Sequence, residues 1–354
     1  MTRSRLVWVV GPQDAGVRAD VVLGRRVAGL SRRAARTLAR AGALRIDGRP
    51  AAPWHHVTPG EQLIVEFEDD DTEPAPLHVL ASTQDFVYVD KPAGVHTHRL
   101  RPDGPAALAD AVIRQFPECG SASEDPREGG AIHRLDRATT GVLAFARNAP
   151  AWRRGRAAMA DPATAKLYLA LVCAPGPLRW PPQPDLCRID PPASAWWFVE
   201  VLPQPQSATL VRLDLPLGLG PRRESVVVRP DGRPTHCEVV ALAATDERQP
   251  DGRTRALLAV ALGRGHRHQI RVHLAWLGLP IEGDSRYGGV GNVTLGPPAL
   301  RSSDTDMLRL HCAALDLRAS CPGEARVAAP LPAAFADRLC ELRLRPWATP
   351  DHTW

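Results

Sequence analysis

The sequence lacks the segments that would place a protein in a membrane or send it out of the cell. No uninterrupted apolar stretch approaches the roughly 20 residues that a membrane-spanning helix needs. The N-terminus is basic, but the apolar run that follows is too short for a secretory signal peptide. The 7 cysteines are scattered, odd in number and without a C-x-x-C pair, which disfavours a disulfide framework or a zinc ribbon. We therefore expect a cytoplasmic protein with reduced thiols, no membrane association and, by default, a monomeric state.

Tyrosine and phenylalanine are scarce, at 3 and 6 residues against 9 tryptophans, and arginine far outnumbers lysine. Together with the abundant alanine and proline, this bias is typical of high-GC coding and indicates no particular function. The length of 354 residues exceeds that of most single domains, so we expect two domains. The net charge of +5 permits a polyanionic partner without requiring one.

The positive charge is concentrated in one segment, residues 18–49. Its nine arginines and two acids give it a charge of +7, more than the net charge of the whole chain. We predict two short helices here, the second running from an N-cap at Ser31 to Gly42, followed by a hairpin and a strand over 63–67. One-sided arginines on such a compact unit favour binding to phosphate groups, although an ordinary solvated face is the plainer interpretation. The residues of this segment predicted to make these contacts are Arg32, Arg33, Arg36 and Arg40.

Composition also divides the chain into parts. Acidic residues and prolines directly after the basic segment are typical of a linker. The predicted divisions are an N-terminal extension (1–17), a small α/β domain (18–68), a linker (69–78) and a large domain (79–354).

The large domain is rich in short β-runs. Helical stretches are few, and 106–116 and 270–277 are the clearest of them. A segment rich in proline and tryptophan, about 174–206, is predicted to be an insert. Many strands with few interspersed helices indicate an α+β fold built around a large, mainly antiparallel mixed sheet.

The stretch from His133 to Gly141, HRLDRATTG, holds the strongest candidate for a reacting group. Its carboxylate, Asp136, lies between two arginines and is followed by a turn and an apolar run over 142–146, which predicts a buried strand. A strand entered through a tight turn holds a side chain more rigidly than a loop tip does, as a reacting carboxylate requires. A turn-forming aspartate or a weak exposed ion pair is the plainer alternative.

Three motifs of the large domain resemble those of the RluA-type RNA pseudouridine synthases. HRLDRATTG is similar to the family's H-R-L-D-x-x-T-S-G, with Thr140 where serine is usual. Residues 166–172, KLYLALV, are similar to K-x-Y-L-A-L-V, and residues 265–274, GHRHQIRVHL, to G-R-x-H-Q-I-R-V-H. The segment from residue 18 to 67 also resembles an S4 RNA-binding domain, which often precedes such a catalytic domain.

The resemblance implies an isomerase that converts specific uridines in structured RNA, ribosomal or transfer RNA, to pseudouridine without a cofactor. It implies that Asp136 is the catalytic carboxylate, Arg271 its basic partner and Tyr168 the active-site tyrosine. A buried aspartate stays ionised only beside a positive group, which the arginine would supply. The target base has to leave its helix or loop to be reached, so base flipping is implied. The further residues expected to contact RNA are Arg134, Arg267 and His268.

Three details of the resemblance bear on the site. We expect Tyr168 to stack on the flipped uracil and its hydroxyl to help remove the C5 proton, a core tyrosine being the alternative. His266 takes the place of the family's usual arginine, and a neighbouring arginine, such as Arg264 or Arg267, is a candidate for the missing role. Asp90 replaces the usual asparagine of an N-K-P-A-G stretch, for which a structural role is expected.

Two other functions are open alternatives. A metal-dependent hydrolase could draw zinc ligands from the scattered histidines, but these lie among arginines, which repel a cation. The histidines in question are His96, His98, His266, His268, His273 and His311. A non-catalytic RNA-binding protein that retains the fold is the second alternative, and it would tolerate the loss of the Asp136 carboxylate. We expect no metal, and the sequence leaves open which RNA is bound.

Overall fold

The computed structural model describes residues 2–26, 36, 39, 42–69, 76–100, 104–161, 164–176, 178, 210–220, 225–245, 248–288 and 307–346. Most of the predicted 174–206 insert, the middle of the linker, and Arg32, Arg33 and Arg40 lie outside these described residues. Within the described ranges, no helix combines the length and the apolar character needed to cross a membrane.

The described elements are mostly strands. In chain order the strands are β1 (Thr2–Val9), β2 (Leu44–Ile46), β3 (Arg49–Pro50), β4 (Gln62–Asp69), β5 (His78–Ser82), β6 (Phe86–Lys91), β7 (Thr140–Ala146), β8 (Ala165–Ala174), β9 (Leu210–Leu219), β10 (Val226–Val228), β11 (Arg233–Ala244), β12 (Thr254–Leu262), β13 (Leu310–Asp316), β14 (Arg326–Ala328) and β15 (Arg345–Pro346). The helices are α1 (Ala19–Arg26), α2 (Leu108–Gln115), α3 (Ala149–Ala158), α4 (Gln269–Trp276) and α5 (Ala333–Leu342). Three short 3₁₀ turns span Pro12–Asp14, Pro117–Ser121 and Pro126–Glu128.

The first of two compact units comprises residues 1–77, 96–131 and 145–152. Its four-stranded sheet has the strand order β1-β4-β2-β3. β1 pairs antiparallel with β4 along all eight of its residues. The strand within the predicted N-terminal extension is therefore part of the same sheet as the strands of the 18–68 segment.

An apolar cluster fixes helix α1 in this unit. Val22 and Leu23 of α1 are fully buried in one cluster with Leu44 of β2 and with Leu63 and Val65 of β4. Complete burial of each such side chain stabilises the fold by about 1.5–3 kcal/mol. The cluster therefore holds the start of the basic segment in place.

The second unit comprises residues 78–95, 132–144 and 153–354. Its described strands form an eleven-stranded sheet with the order β10-β9-β11-β12-β8-β13-β7-β6-β5, on which β14 pairs with β13 and β15 with β11. β13 and β7 pair in parallel, whereas β8, β9, β11 and β12 pair antiparallel with their neighbours. The predicted α+β fold with a large, mainly antiparallel mixed sheet is confirmed.

The centre of this sheet is buried, and two helices pack on it. Every residue of β7 is buried, as expected for an uninterrupted apolar run covered on both faces. Val272 of α4 lies in one apolar cluster with Leu217 of β9, and Phe335 of α5 in another with Leu171 of β8. These contacts hold α4, which carries the predicted site residue Arg271, against the sheet.

Candidate active site

Asp136 lies in the turn that leads into the buried strand β7. The turn closes through a hydrogen bond from the Thr139 N–H to the backbone carbonyl of Asp136, at 3.1 Å. Two residues later β7 runs very close to β13. Gly141 has a φ of +111°, and a Cβ there would lie 2.1 Å from the carbonyl oxygen of Cys312. The glycine thus allows the strand pairing that anchors the turn, while the Asp136 side chain stays 21% exposed.

Lys91, at the end of β6, holds the other side of the same turn. Its buried ammonium donates to the carbonyl oxygens of Arg137 at 3.0 Å, Thr139 at 2.7 Å and Pro92 at 2.8 Å. The backbone N–H of Gly94 donates to the Arg137 carbonyl at 2.9 Å, and the side-chain Nε–H of Arg137 donates to the Gly94 carbonyl at 2.8 Å. Burial lowers the pKa of Lys91 to about 7, and the nearby Asp136 carboxylate opposes that shift. The D-K-P-A-G stretch therefore buttresses the turn that presents Asp136.

Arg271, on α4, joins Asp136 to a second carboxylate. Its Nη1 donates to Oδ2 of Asp136 at 3.1 Å, and its Nε and Nη2 donate to the two oxygens of Asp284, both at 2.8 Å. Asp284 is buried and also accepts the backbone N–H groups of Arg286 and Tyr287 at 3.0 Å. The guanidinium is consequently held in one orientation by Asp284 and offers its remaining edge to Asp136.

The electrostatics of this cluster keep it ionised. Burial would lower the pKa of Arg271, but its bonds to Asp284 and Asp136 raise it above the ordinary value. Burial likewise acts to raise the pKa of Asp284, yet the Arg271 guanidinium holds it below its usual range. The carboxylates of Asp136 and Asp284 thus share one guanidinium.

His268 is the residue before α4, and its backbone is in the left-handed region, with a φ of +55°. Its Nδ1 lies 2.8 Å from the hydroxyl of Tyr287, and its Nε2 lies 3.7 Å from Oδ2 of Asp136. The Tyr287 oxygen accepts the N–H of Val226, so its own proton is free for Nδ1 and the ring proton falls on Nε2. Burial lowers the pKa of His268 to about 4, so the ring is neutral. Sequence analysis predicted an RNA contact for His268, and the structure puts its ring beside Asp136.

Tyr168 lies on β8, where it pairs with Val260 of β12 and Cys312 of β13. Its ring is buried but lines the same cavity as Asp136. Burial, followed by the neighbouring Cys312, raises the pKa of the phenol well above its ordinary value. The hydroxyl is therefore protonated at any physiological pH.

A cavity of about 400 Å³ connects these groups, and its lining is strongly basic. Asp136, Tyr168, His268 and Arg271 all line it. Its lining also includes Arg134, Arg156, Arg233, Arg264 and Arg267. All five are exposed, as expected for groups that meet a phosphate backbone.

His266, the residue that departs from the family motif, also lines this cavity. The His266 N–H donates to the side-chain oxygen of Gln269 at 3.0 Å, and the Gln269 amide donates to the carbonyl of His236 at 2.8 Å. Burial, followed by the charges of Arg233 and Arg264, lowers the pKa of His266. A neutral histidine thus stands between exposed arginines that supply the positive charge of this edge.

Of the predicted RNA-binding arginines of the first unit, only Arg36 is among the described residues. Its Nε donates to Asp20 at 3.2 Å, and Arg18 pairs with the same carboxylate at 2.9 Å. The Asp20 side chain is fully buried, while that of Arg36 is 40% exposed. Arg36 therefore neutralises a buried carboxylate and keeps only part of its guanidinium for solvent or RNA.

Three of the histidines proposed as zinc ligands, His268, His273 and His311, have protein groups at their ring nitrogens. His273 lies 2.8 Å from the Thr235 hydroxyl and 3.2 Å from the Cys237 sulfur. His311 lies 2.8 Å from the hydroxyl of Thr140. Within the described part of the chain, no three ligating side chains come together as a metal site.

Sequence reasoning missed the roles of Asp284 and Tyr287. Asp284 and Tyr287 follow the HQIR motif in the run GDSRYG, where a lone carboxylate after a glycine carries little local signal. Their function depends on contacts with α4 that become visible only in the fold.

Comparison with known proteins decides the family. A model of the RNA pseudouridylate synthase family matches residues 85–276, more than half of the chain. The chain belongs to the RNA pseudouridylate synthases. The predicted RluA-type pseudouridine synthase is thereby confirmed, and the synthase is an isomerase that acts on uridine in RNA.

Relatives of the synthase support this family assignment along most of the chain. An uncharacterized RNA pseudouridine synthase of Chloroflexus aurantiacus is 30% identical over 296 residues, covering 80% of this chain and 78% of the relative. The ribosomal large subunit pseudouridine synthase D of Xanthomonas campestris pv. campestris is 29% identical over 351 residues, covering 95% and 92%. The structure of human RNA pseudouridylate synthase domain containing 4 matches with a TM-score of 0.50 and 20% identity, covering 76% and 94%, and shows the shared fold.

Proposed function

We propose that this synthase converts a uridine of large-subunit ribosomal RNA to pseudouridine, with Asp136 as the catalytic carboxylate. The observation that carries the proposal is the Asp136 carboxylate, bonded to Arg271 at 3.1 Å at the wall of a basic cavity. The choice of ribosomal RNA rests on relatives named ribosomal large subunit pseudouridine synthase D, such as those of Xanthomonas campestris and Vibrio parahaemolyticus. Transfer RNA is the alternative substrate.

The reaction requires few groups beyond Asp136, Arg271 and the basic cavity. The C1′–N1 bond breaks, the uracil turns within the site, and C5 bonds to C1′. The proton on C5 is finally lost and N1 gains one from solvent. An ionised carboxylate stabilises the electron-poor C1′ or attacks it. In the described structure both contacts to the Asp136 carboxylate fall on Oδ2, which leaves Oδ1 to face the ribose. No step requires a cofactor.

The cavity suits a single turned-out nucleotide. A volume of about 400 Å³ admits one base with its ribose, and the exposed arginines at its edge supply partners for the adjoining phosphates. The protonated Tyr168 hydroxyl is a poor base, so we assign this residue to packing on the uracil and positioning it. Water is then the acceptor of the C5 proton.

We further propose that residues 18–68 act as an S4-like RNA-binding domain in a cytoplasmic, monomeric enzyme. The local charge of +7 supports the binding role. Because Arg36 neutralises buried Asp20, the phosphate contacts are assigned chiefly to Arg32, Arg33 and Arg40. Replacing Arg33 and Arg40 with glutamine should flatten the salt dependence of RNA affinity, and an unchanged slope would exclude this surface.

The substrate proposal is tested by incubating the purified enzyme with unmodified large-subunit ribosomal RNA, small-subunit ribosomal RNA and transfer RNA. Pseudouridine is then mapped at single-nucleotide resolution in each. We expect a new pseudouridine in the large-subunit RNA. Conversion confined to transfer RNA would refute the choice of substrate, and no conversion in any RNA would refute the enzymatic proposal.

A further inference from the structure

Lysine is the rarest basic residue of the chain, and both of its lysines are buried in the second unit. Only Lys91 and Lys166 occur among 44 lysines and arginines. They are 0% and 3% exposed, respectively. Lys91 donates to three carbonyl oxygens and is fully satisfied.

Lys166 is different because no oxygen of the described residues accepts a hydrogen bond from its ammonium. Among the described residues, the partner of its Nζ is the sulfur of Met159 at 3.7 Å, a weak acceptor. A buried ammonium without an acceptor or a counter-charge is destabilising. Both Lys166 and Met159 line the cavity that contains Asp136. Such a group is expected where a ligand supplies the missing acceptor.

His133 provides a second unsatisfied donor near Lys166. Its Nε2 accepts the N–H of Ala144 at 3.3 Å, so its proton is on Nδ1. Nδ1 is buried and has no hydrogen-bond partner among the described residues. Burial, followed by the charges of Lys166 and Arg156, lowers the pKa of His133 to about 3, so the ring is neutral. Among the described residues, the cavity lining thus holds two donors without an oxygen or nitrogen acceptor, and one of them is cationic.

We propose that the Lys166 ammonium, assisted by the Nδ1–H of His133, binds the carbonyl oxygens of the flipped uracil and stabilises its negative charge while it is detached from the ribose. This inference rests on the proposed function. It makes Lys166 a catalytic residue of the same site, with a task separate from those of Asp136 and Arg271.

The electron balance of the reaction creates the need for such a group. When C1′–N1 breaks, the bonding electron pair stays on N1 and its charge spreads to the O2 and O4 carbonyls. Lys166 donates hydrogen bonds to this anion without giving up its proton. The delocalised pair returns to C1′ when C5 forms the new bond. Water then removes the C5 proton and N1 takes a proton from water, so that the product is an isomer of uridine. Arg271 is committed to Asp284 and Asp136, so it is not available for this charge.

The chemistry of lysine suits the position better than that of arginine. An ammonium is a compact point charge that fits at the closed wall of a cavity, whereas a guanidinium is larger and planar. Burial lowers the pKa of Lys166 to about 8, which leaves it mostly charged at neutral pH. A fixed charge in a dry cavity stabilises a developing anion more strongly than it would in water.

The test compares wild type with Lys166→Met, which keeps the length of the side chain and removes the charge. Each enzyme is used in excess over an RNA that carries either uridine or 5-fluorouridine at the target position. The rate at which that nucleoside is consumed is measured. Fluorine withdraws electrons and stabilises the detached base. We expect Lys166→Met to slow the uridine reaction by about 100-fold, as for a lost transition-state donor, and the 5-fluorouridine reaction by only about tenfold.

Equal losses on the two RNAs would overturn the inference, because a purely structural lysine has no reason to sense the leaving base. Thermal unfolding and RNA affinity of each variant are measured alongside. Should Lys166→Met fail to fold, Lys166→Gln keeps a neutral donor and should show the same difference with smaller losses. Lys166→Arg should not restore the wild-type rate. A wild-type enzyme that consumes neither RNA would instead refute the proposed function itself.

Discussion

At the scale of single residues, the site depends on how Arg271 is shared. Its Nε and Nη2 donate to Asp284, and its Nη1 donates to Asp136. The orientation of the guanidinium is therefore set before any RNA binds. Asp284 itself is locked by two backbone N–H groups. The geometry of the proposed catalytic carboxylate therefore depends on Asp284, a buried residue that is not part of the cavity lining.

Replacing Asp284 with asparagine tests this dependence. One oxygen becomes an NH₂ group that faces a donor of Arg271, which breaks a buried ion pair. We expect a loss of about 3–5 kcal/mol in the free energy of unfolding and a fall in turnover with little change in RNA affinity. Urea unfolding and single-turnover assays measure both.

The exposed pair of Arg338 and Glu341 provides the matched control, because its carboxylate is 64% exposed. Glu341→Gln should cost less than about 1 kcal/mol. If Asp284→Asn were as mild as this control, the proposed role of Asp284 in holding Arg271 would be wrong.

His268 is the second residue whose role the fold redefines. Its neutral ring directs Nε2 toward Asp136 and is held by Tyr287. His268→Asn tolerates the left-handed backbone but cannot reach the carboxylate, so turnover should fall about tenfold at unchanged RNA affinity. Weakened RNA affinity at an unchanged rate would support the RNA contact predicted from sequence instead.

At the scale of elements, the turn before β7 is held by Lys91 on one side and by the parallel pairing of β7 with β13 on the other. The approach of the two strands is possible only because residue 141 lacks a side chain. The position of Asp136 is thus fixed by the pairing of β7 with β13. The motif's glycine therefore permits this strand pairing in addition to forming a turn.

Gly141→Ala should therefore be severe. A Cβ would lie 2.1 Å from the Cys312 carbonyl oxygen at a φ of +111°, so the strands must separate. We expect a loss of more than about 2 kcal/mol in unfolding free energy, together with lost activity. Gly252→Ala is the control, because its φ is also positive but its Cβ would meet nothing within 4 Å. Similar losses in both variants would mean that strain alone, and not the strand contact, matters.

Local patterns predicted these elements well. The apolar run over 142–146 predicted β7, observed as Thr140–Ala146, and the helix predicted at 270–277 is α4, observed as Gln269–Trp276. The pairing of β1 with β4 was not predictable, since it joins segments more than 50 residues apart. The shared guanidinium and the uncompensated Lys166 were hidden for the same reason. A short motif reports local periodicity, whereas partners are set by the packing of distant segments.

At the scale of the whole molecule, the protein buries several neutral histidines. His273 fits this state: the Thr235 hydroxyl donates to the Leu215 carbonyl and accepts from Nε2, which leaves Nδ1 to accept from the Cys237 thiol. Burial lowers the pKa of His273 to about 4 and that of His311 likewise to about 4. Stability should therefore depend on pH below neutrality.

The sign of the dependence follows from the lowered values. Between pH 6.5 and 4 the unfolded chain binds protons that the folded histidines do not, so the free energy of unfolding falls as the pH falls. His273→Gln removes one such site and should reduce the slope by up to about 1.4 kcal/mol per pH unit. Denaturant unfolding from pH 7 to 4.5 measures it. An unchanged slope would mean that His273 is already protonated in the folded state.

The central claim is that one carboxylate, held by Arg271, performs the isomerisation. The most direct test is pseudouridine formation by Asp136→Asn under single-turnover conditions, with RNA affinity measured in parallel. The account predicts that turnover is lost while RNA is still bound within about twofold of the wild-type affinity. Wild-type turnover in Asp136→Asn would contradict the account.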